Sequence, residues 1–502
     1  MLETLQALIS GFGTALLPNN LLAALIGSVL GIVIGAIPGL GSVTAIALLL
    51  PLTFGLDPTT AIIMLAAVYF GCMFGGAYSA ILLNIPGDAP AVMTAMDGYP
   101  MSRDGRGGKA LFAANYASFI GGTIGIVILT FTGPLLADFG LRFGPAETGL
   151  LILVALTSIG WLLGTNVLKG LAATAVGIML ATIGIGTTFG QPRFTLDSIY
   201  LLNGINFIPL VIGMFGFAQL LEMMAARTTQ PVARPQLGLR DSLPGAGDLR
   251  ALLPVSVRSG FLGTLTGVVP GAGATTGSFF AYILERRVGR NREQMGKGAA
   301  EGVAAAESGN NSAAVGSFAP LLSLGIPGSG TSAILLGGLM MWGLQPGPLL
   351  FQNQPDFVWG LISSMYIGNV MAVIAAFLII PFLMRILWVP TGILVPIVGV
   401  VCIVAAYSVS GSMFEVWMMI GVGVVAYLMG RAGYPAAPLL LAFVLTPRLE
   451  TSIRQAFDIS NGSLGIFVSS PIAIALLGVL VLILLALVWP LLSKRKPAEN
   501  PL

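Results

Sequence analysis

Two short motifs place small polar residues and a Pro-Gly pair inside runs that are otherwise apolar. The first is GAIPGLGSVTA at 35–45, and GVVPGAGATTG at 267–277 repeats the same Pro-Gly centre. A helix core avoids these residues, because Pro lacks a backbone donor and Gly is flexible. A helix that breaks there exposes N–H groups on one half-helix and carbonyl groups on the other. The N–H end attracts carboxylates, and the carbonyl end, with Ser and Thr hydroxyls nearby, suits Na⁺.

A second type of break follows each of these motifs. The first half carries LLNIPGDAPAVMTAMDGYPM at 82–101, and the second half carries LSLGIPGSGTSAILLGGLMM at 322–341. Each half therefore has a Pro-Gly break followed by an Ile-Pro-Gly break. Taken one at a time, such breaks are usually kinks or close-packing faces. Four of them, in the same order in both halves, predict that they converge near the midplane on one anionic substrate and its coupling cations.

The candidate substrate-binding residues are the glycines, prolines and small polar residues of the four breaks. They are Gly39, Gly41, Ser42, Thr44, Asn84, Pro86, Gly87, Gly271, Gly273, Thr275, Thr276, Pro327, Gly328, Ser329, Thr331 and Ser332. The candidate Na⁺ neighbourhood consists of side chains with oxygen ligands, namely Asp88, Glu307, Asn310 and Asn311. For Glu307 an ion pair with a nearby Arg is an equally good interpretation. Asp97, in MDGYPM, is expected to be an interfacial turn residue.

The elements that position these residues must lie in a lipid bilayer. Of the 502 residues, 56% are apolar and 9% are charged, against roughly 25% charged in a soluble domain. Many apolar segments contain about 18 or more residues, the length needed to cross a hydrocarbon core of about 30 Å. Short alternating segments of the β-barrel kind do not appear. The composition therefore predicts an all-α polytopic membrane protein.

The same composition argues against several other functions. The chain has no His, and its two cysteines lie in apolar segments, which argues against a His-based metal site, a His general base and a disulfide framework. It contains neither a GxxxxGK(S/T) loop nor a GxSxG elbow. The net charge of +3 is too small to indicate nucleic acid. We expect no catalytic residues, no cofactor other than a coupling ion, and no nucleic-acid partner.

The charges of the loops indicate how the two halves are oriented. In the first half, residues 51–61 contain no Lys or Arg, whereas 102–109 contain three. In the second half the order is reversed, because 285–297 contain five and 343–357 contain none. Basic loops remain in the cytoplasm, so the two halves run in opposite directions across the membrane. This predicts an inverted-topology repeat, which is typical of secondary transporters.

The predicted domain organisation follows from these repeats. Basic residues flank both ends of the second Pro-Gly run, which predicts a re-entrant hairpin from the cytoplasm, and symmetry predicts a counterpart from outside. The first inverted repeat covers 1–225, with a hairpin at about 21–55 and a broken helix at about 58–100, and a cytoplasmic linker follows at 226–250. The second inverted repeat covers 251–466, with a hairpin at about 251–284 and a broken helix at about 298–342. A C-terminal helix with a basic cytoplasmic tail covers 467–502.

Several long, Gly-rich motifs resemble the large membrane subunit of the tripartite tricarboxylate transporter family. The resemblance spans essentially the whole chain, and motifs of this length are specific. They are GAIPGLG, YFGCMFGGAYSAILLNIPGDAPAVMTAMDGYPM, GVVPGAGATTGSFFAY, ESGNNSAAVGSFAPLLSLGIPGSGTSAILLGGLMMWGLQPGPLLF and RAGYPAAPLLLAFVLTPRLETSIRQAF.

This resemblance implies a multi-pass secondary transporter of the bacterial inner membrane, with an elevator mechanism. It implies two partners, a small four-helix membrane subunit and a periplasmic solute-binding protein. The substrate would be a carboxylate (a tricarboxylate, a dicarboxylate or an aromatic acid) imported by Na⁺ symport with alternating access. Proton coupling is the alternative, and a gated anion channel is less favoured because repeats with hairpins indicate a carrier. We also expect a homodimer, and the basic tail predicts a cytoplasmic C-terminus.

Overall fold

The computed structural model describes residues 2–162, 167–186, 190–225, 246–387 and 389–492. Within these ranges the chain is helical, apart from turns and one pair of two-residue strands. β1 Gly184–Ile185 lies antiparallel to β2 Pro192–Arg193. Most of the predicted linker and the basic end of the tail lie outside the described residues.

Twenty-one α-helices follow one another along this part of the chain. They are α1 Leu2–Ala15, α2 Pro18–Ala36, α3 Ser42–Leu49, α4 Pro58–Leu83, α5 Val92–Met101, α6 Gly107–Gly140, α7 Pro145–Leu162, α8 Val167–Ala181, α9 Phe207–Val211, α10 Ala218–Ala225, α11 Ala246–Val268, α12 Gly273–Val288, α13 Ala300–Gly316, α14 Phe318–Leu324, α15 Gly330–Met341, α16 Leu350–Asn353, α17 Pro355–Leu387, α18 Thr391–Ser408, α19 Met413–Arg431, α20 Ala436–Ile459 and α21 Pro471–Leu492. A 3-10 turn, Leu50–Thr53, extends α3, and another, Ala89–Ala91, precedes α5.

Nine helical segments of the described chain are long and apolar enough to cross a membrane. This confirms the prediction of an all-α polytopic membrane protein. Other apolar helices are shorter, among them α3 with eight residues. At 1.5 Å per residue, eight residues extend only about 12 Å, which is well short of the membrane thickness. Short helices of this kind suit the arm of a re-entrant hairpin; the inverted orientation and the elevator mechanism remain predictions.

The chain packs as two compact units, each built from segments of both halves of the sequence. The first unit consists of Met1–Gly140 and Asn206–Arg431, and the second of Leu141–Ile205 and Ala432–Leu502. All four breaks lie in the first unit. The predicted boundaries at 226–250 and 466 concern repeats in the sequence and stay predictions.

A line of glycines joins α2 to α4 in the first unit. A Cβ added to Gly31 would lie 2.9 Å from the Cα of Gly71, and one added to Gly75 would lie 2.8 Å from the nitrogen of Ala36. Real Cβ atoms do not approach backbone this closely, so the two helices touch backbone to backbone. Small residues allow such close approach inside a membrane, where dispersion between helices replaces the hydrophobic effect.

The second half of the chain repeats this packing with different residues. A Cβ on Gly263 would lie 2.8 Å from the Cα of Gly309, and one on Gly267 would lie 2.8 Å from the Cα of Ala313. In each half, therefore, the helix before the Pro-Gly break packs on the helix that leads towards the Ile-Pro-Gly break. These two contacts hold each pair of breaks close together.

We predict that Gly31→Ala destabilises the protein by about 2 kcal/mol or more, because the new methyl meets fixed backbone and overpacking of this kind typically costs 1–3 kcal/mol. Thermal unfolding of the purified chain in detergent measures the effect. The matched control is Gly421→Ala, where an added Cβ meets nothing within 4 Å. Equal melting temperatures for the two variants would contradict the packing described here.

Candidate functional site

The two Pro-Gly breaks share one backbone conformation. At the first, the N–H of Leu40 donates to the carbonyl of Ile37 at 3.1 Å, across a Gly39 with φ of +84°. At the second, Ala272 donates to Val269 at 3.1 Å, and Gly271 has φ of +81°. Pro at the second position and a left-handed Gly at the third are typical of a type II turn. Each turn ends one helix and leads into the next, from α2 to α3 and from α11 to α12.

The two Ile-Pro-Gly breaks also match each other. Asn84, with φ of 57°, and Gly325, with φ of 68°, end the preceding helices in the left-handed conformation. One residue later, Ile85 donates to the carbonyl of Ser79 at 3.4 Å, and Ile326 donates to that of Pro320 at 3.1 Å. Each of these bonds joins residues six positions apart, one more than in the Schellman motif, and it satisfies a carbonyl that the end of a helix leaves free.

The helices after these breaks begin at side chains in matching positions, Asp88 and Ser329. Both residues have extended backbones, and both side chains accept a bond from a following N–H group. The Ser329 hydroxyl and the Ser332 side chain form a capping box at the start of α15. The two halves thus carry the same structure with different chemistry, a carboxylate in one and a hydroxyl in the other.

Three of the breaks meet at Ser42, the first residue of α3. Its N–H and its hydroxyl both donate to Oδ2 of Asp88, at 2.8 and 2.6 Å. Its Oγ also lies 3.0 Å from Oγ1 of Thr331, in the first turn of α15. A buried hydroxyl therefore connects the first Pro-Gly break to both Ile-Pro-Gly breaks.

The fourth break reaches the same place through Gly273. A Cβ on Gly273 would lie 3.1 Å from the Cβ of Ser329, so this glycine sits against the start of α15. From the other side, the Tyr69 hydroxyl of α4 lies 3.3 Å from Oγ of Ser329. We call Gly41, Ser42, Asp88, Gly273, Ser329 and Thr331, together with Tyr69, the break cluster. Tyr69 was not predicted, because nothing in its neighbouring sequence distinguishes it from a core aromatic residue.

A depression of about 350 Å³ opens beside the first pair of breaks. Its lining consists mainly of backbone and small side chains, with one charged group, the half-buried Asp88. The residues are Gly39, Gly41, Val43, Thr44, Pro86, Gly87, Asp88, Ala89 and Val92. Five of the predicted substrate-binding residues lie together here, namely Gly39, Gly41, Thr44, Pro86 and Gly87.

Several predicted residues also have packing or hydrogen-bond contacts, and the rest differ in burial. Gly87 and Gly328 pack on the helices before the Pro-Gly breaks: a Cβ on Gly87 would collide with the carbonyl of Gly35, and one on Gly328 would lie 2.7 Å from that of Gly267. Thr44 donates to the carbonyl of Phe215 at 3.2 Å. The remaining predicted residues differ in exposure. Pro327, Gly271 and Ser332 are buried, Thr276 is half-buried, and Asn84 and Thr275 are exposed.

The predicted Na⁺ neighbourhood divides between two places. Asp88 belongs to the break cluster, whereas Glu307, Asn310 and Asn311 lie together on α13. Glu307 is fully buried, and its Oε2 accepts from Ser118 at 3.2 Å and from Asn310 at 3.1 Å. The Asn311 amide in turn donates to Oγ of Ser118 at 2.8 Å.

Thr94 of α5 completes this group by donating its hydroxyl to Oε1 of Glu307. We call Thr94, Ser118, Glu307, Asn310 and Asn311 the Glu307 cluster. In the described part of the chain no Lys or Arg pairs with Glu307, so the interpretation of Glu307 as one half of an ion pair is wrong for these residues. A buried charge surrounded only by neutral donors favours a bound cation or a proton.

Asp97 corrects another prediction. It is fully buried within α5 and is not an interfacial turn residue. Its Oδ1 accepts backbone N–H bonds from Gly296, Gly298 and Ala299 at 2.8–2.9 Å, and its Oδ2 accepts from the Tyr282 hydroxyl at 2.8 Å. The carboxylate therefore binds the loop before α13 to α5. These segments are distant in the sequence, so no local pattern predicts the contact.

The chain is similar to a known protein family and to uncharacterised proteins of Agrobacterium vitis. The family model described as "Tripartite tricarboxylate transporter TctA family" matches residues 21–441. An uncharacterised 52.8 kDa protein from the TAR-I ttuC' 3' region of Agrobacterium vitis is 39% identical over 500 residues, covering 99% of this chain and 98% of that protein. An uncharacterised protein from the TAR-II region of the same organism is 42% identical over 234 residues, or 46% of this chain and 97% of that protein. No solved structure matches significantly.

We predict that Ser42→Cys and Thr331→Cys, combined with Cys72→Ala and Cys402→Ala, form a disulfide on mild oxidation, because the two hydroxyl oxygens are 3.0 Å apart. Proteolysis at a site engineered into the 226–250 linker then leaves the two halves joined on a non-reducing gel. Either cysteine alone serves as the control and should give separate fragments. Separate fragments from the double variant would show that the breaks do not meet at Ser42.

Proposed function

We propose that this chain, which belongs to the tripartite tricarboxylate transporter TctA family, is the membrane-embedded translocation subunit of a binding-protein-dependent secondary transporter that imports carboxylates. One observation carries the proposal. Four helix breaks from two halves of the chain meet at the break cluster, where Ser42 contacts Asp88 and Thr331.

The chemistry of the break cluster suits an anion. The N-terminal ends of α3 and α15 bring partial positive charge to this place, and the hydroxyls of Tyr69, Ser329 and Thr331 supply neutral donors. Recognition by dipoles and hydroxyls holds a carboxylate less tightly than an Arg clamp would. Moderate affinity suits a carrier, because the substrate must also leave on the other side.

The matched breaks support alternating access as the mechanism. Two halves with the same broken-helix backbone and opposite loop charges are typical of carriers that expose one site to either side in turn. The glycine contacts join each hairpin to its broken helix, so each pair of breaks is able to move as one body. We propose an elevator motion on this basis, with inverted repeats at the boundaries given above.

The Glu307 cluster is the proposed site of the coupling ion. It brings together carboxylate, hydroxyl and amide oxygens in a buried place, and these are the ligands that a hard cation such as Na⁺ requires. Burial of an unpaired carboxylate is costly, so a cation that enters with the substrate would be bound strongly. Proton coupling is the second candidate, because a proton on Glu307 would remove the same charge.

The second unit supports the proposed orientation in the inner membrane. Lys169, at the start of α8, donates to the carbonyl of Ala432 at 2.6 Å, whereas Arg193, beyond the end of α8, pairs with Glu450 at 2.9 Å. The start of α20 therefore lies beside the start of α8. The basic loop at 102–109 is assigned to the cytoplasm, and two crossings, α6 and α7, bring the chain back to that side at the start of α8. Since α21 crosses once more after α20, its end and the basic tail would lie in the cytoplasm.

The proposed complex contains this chain, a small four-helix membrane subunit and a periplasmic solute-binding protein, with this chain present as a homodimer. We predict that proteoliposomes holding both membrane subunits take up carboxylate only when the loaded binding protein and an inward Na⁺ gradient are present. Initial uptake of a radiolabelled acid, with K⁺ replacing Na⁺ as the control, measures this dependence. Uptake that persists unchanged without Na⁺ would contradict Na⁺ coupling, and flux that does not saturate would contradict a carrier.

We predict that Glu307→Gln raises the Na⁺ concentration for half-maximal uptake at least about tenfold, which corresponds to about 1.4 kcal/mol of lost cation binding. The variant keeps the size of the side chain, but it removes the charge and replaces one accepting oxygen with a donating NH2 group. Na⁺ titration of the initial uptake rate measures the change.

Glu301→Gln, in the first turn of the same helix, is the matched control for Glu307→Gln and should leave the titration unchanged. A wild-type protein that ignores Na⁺ but needs a proton gradient, together with a Glu307→Gln variant that loses this need, would assign proton coupling to the same cluster. Equal Na⁺ titrations for both variants would remove Glu307 from the coupling site.

A further inference from the structure

Asn115, on α6, is fully buried and carries a polar group without a partner. Its Oδ1 lies 3.0 Å from the Tyr78 hydroxyl, whereas its Nδ2 has no hydrogen-bond partner among the described residues. Buried polar groups in native proteins are nearly always bonded, so an exception of this kind points to an ion, a water molecule or a functional role. Asn115 is therefore a candidate for binding a ligand that supplies the missing partner.

The Tyr78 hydroxyl indicates which end of the amide is free for a ligand. It lies 3.0 Å from Oδ1 of Asn115 and 3.1 Å from the carbonyl oxygen of Ala376, and a hydroxyl has only one proton to donate. A half-turn of the amide exchanges its oxygen and its nitrogen, which have nearly the same shape. Nδ2 then donates to Tyr78 while Tyr78 donates to Ala376. Two hydrogen bonds form instead of one, and the amide oxygen becomes the end without a partner.

Asn115 lies one helical turn before Ser118, a member of the Glu307 cluster. Residues three apart on a helix share one side of it, with their Cβ atoms about 5–6 Å apart. Oγ of Ser118 lies 3.2 Å from Oε2 of Glu307, and Tyr78 is close enough to Glu307 for the two side chains to interact electrostatically. An ion bound between Glu307 and Ser118 is therefore within reach of the Asn115 side chain.

The charge of Glu307 decides which ligand suits the free end of the amide. In the described part of the chain no Lys or Arg pairs with this buried carboxylate, so a cation is the ligand that would neutralise it. The hydrogens of an NH2 group carry partial positive charge and would repel that cation, whereas an amide oxygen would bind it. A cation at the Glu307 cluster therefore favours the turned amide, which the Tyr78 hydroxyl also favours.

We infer that Asn115 is an oxygen ligand of the cation bound at the Glu307 cluster, and that Tyr78 is the positioning residue that holds its amide in the required orientation. This inference rests on the proposed function. The cation is hard and monovalent, such as Na⁺, because Glu307 supplies one negative charge and Ser118 and Asn115 supply neutral oxygens.

The test measures cation binding directly and needs no transport. The full chain is purified in detergent, and its melting temperature is followed as NaCl replaces choline chloride at constant ionic strength. A ligand that binds the folded state raises the melting temperature, so the Na⁺ concentration at half of the maximal rise reports the affinity for the cation. We expect Asn115→Leu, which has the same branched shape but no polar atom, to raise this concentration at least about tenfold.

Two further variants separate the ligand from the residue that positions it. Tyr78→Phe removes only the hydroxyl, and it should raise the same Na⁺ concentration by a smaller factor, because the oxygen ligand remains. Asn115→Asp has an oxygen at both ends of its side chain, so its half-saturating Na⁺ concentration should be equal to or lower than that of the wild type. This variant also keeps the test valid if Asn115→Leu unfolds.

Asn369→Leu is the matched control. Asn369 is also a buried amide beside α6, but its Nδ2 donates to the carbonyl of Phe119 and to the hydroxyl of Thr123, both at 3.0 Å. The variant should lower the melting temperature and leave the half-saturating Na⁺ concentration unchanged.

An unchanged or lower half-saturating Na⁺ concentration in Asn115→Leu would overturn the inference, because the loss of an unpaired NH2 group or of a bound water leaves the cation site intact. Loss of Na⁺ binding in a folded Asn115→Asp variant would overturn it as well. A wild-type protein that Na⁺ does not stabilise would remove the coupling ion itself from the Glu307 cluster. Stabilisation of the wild type by Na⁺, with no change in Asn115→Leu, would remove only Asn115.

Discussion

An interrupted helix inside a membrane must find partners for backbone groups that lipid cannot satisfy, and the first unit is organised around this constraint. The Pro-Gly breaks satisfy part of the requirement with tight turns at Gly39 and Gly271, and the Ile-Pro-Gly breaks do so with backbone bonds from Ile85 and Ile326 back to the preceding helices. The N–H groups that remain at the new helix starts are bonded to side chains, Asp88 in one half and Ser329 in the other. Helix starts of this kind are places where an anion is able to bind.

Glycine packing makes this arrangement possible. Gly31 against Gly71, and Gly267 against Ala313, bring the backbones of α2 and α4, and of α11 and α13, into direct contact. Gly87 and Gly328, inside the Ile-Pro-Gly motifs, pack the breaks themselves against α2 and α11. Residues with the composition expected of a binding loop thus also serve as packing surfaces, because non-helical backbone at this depth must be surrounded by protein.

The two halves of the chain share their backbone geometry but differ in the placement of charged side chains. The two halves share their turns and caps, yet only the first places a carboxylate in the break cluster, and the buried Glu307 lies in a separate cluster of neutral donors. Asp97, a third buried carboxylate, is fully bonded by three N–H groups and a tyrosine, so it has a structural role. Three buried or half-buried acids therefore have three different sets of partners.

The sequence by itself determined the membrane class and the positions of all four breaks, and it predicted that Ser42, Ser329 and Thr331 come together. Composition and Pro-Gly motifs affect the backbone within a few residues, so their effects can be predicted from the sequence. Only the tertiary structure decided which donors each acid receives: it separated Asp88 from Glu307, buried Asp97 beneath the 296–299 loop, and brought Tyr69 to Ser329. Those contacts join residues 201 to 260 positions apart. No local pattern encodes such a pairing, because it depends on how closely glycine-lined helices pack.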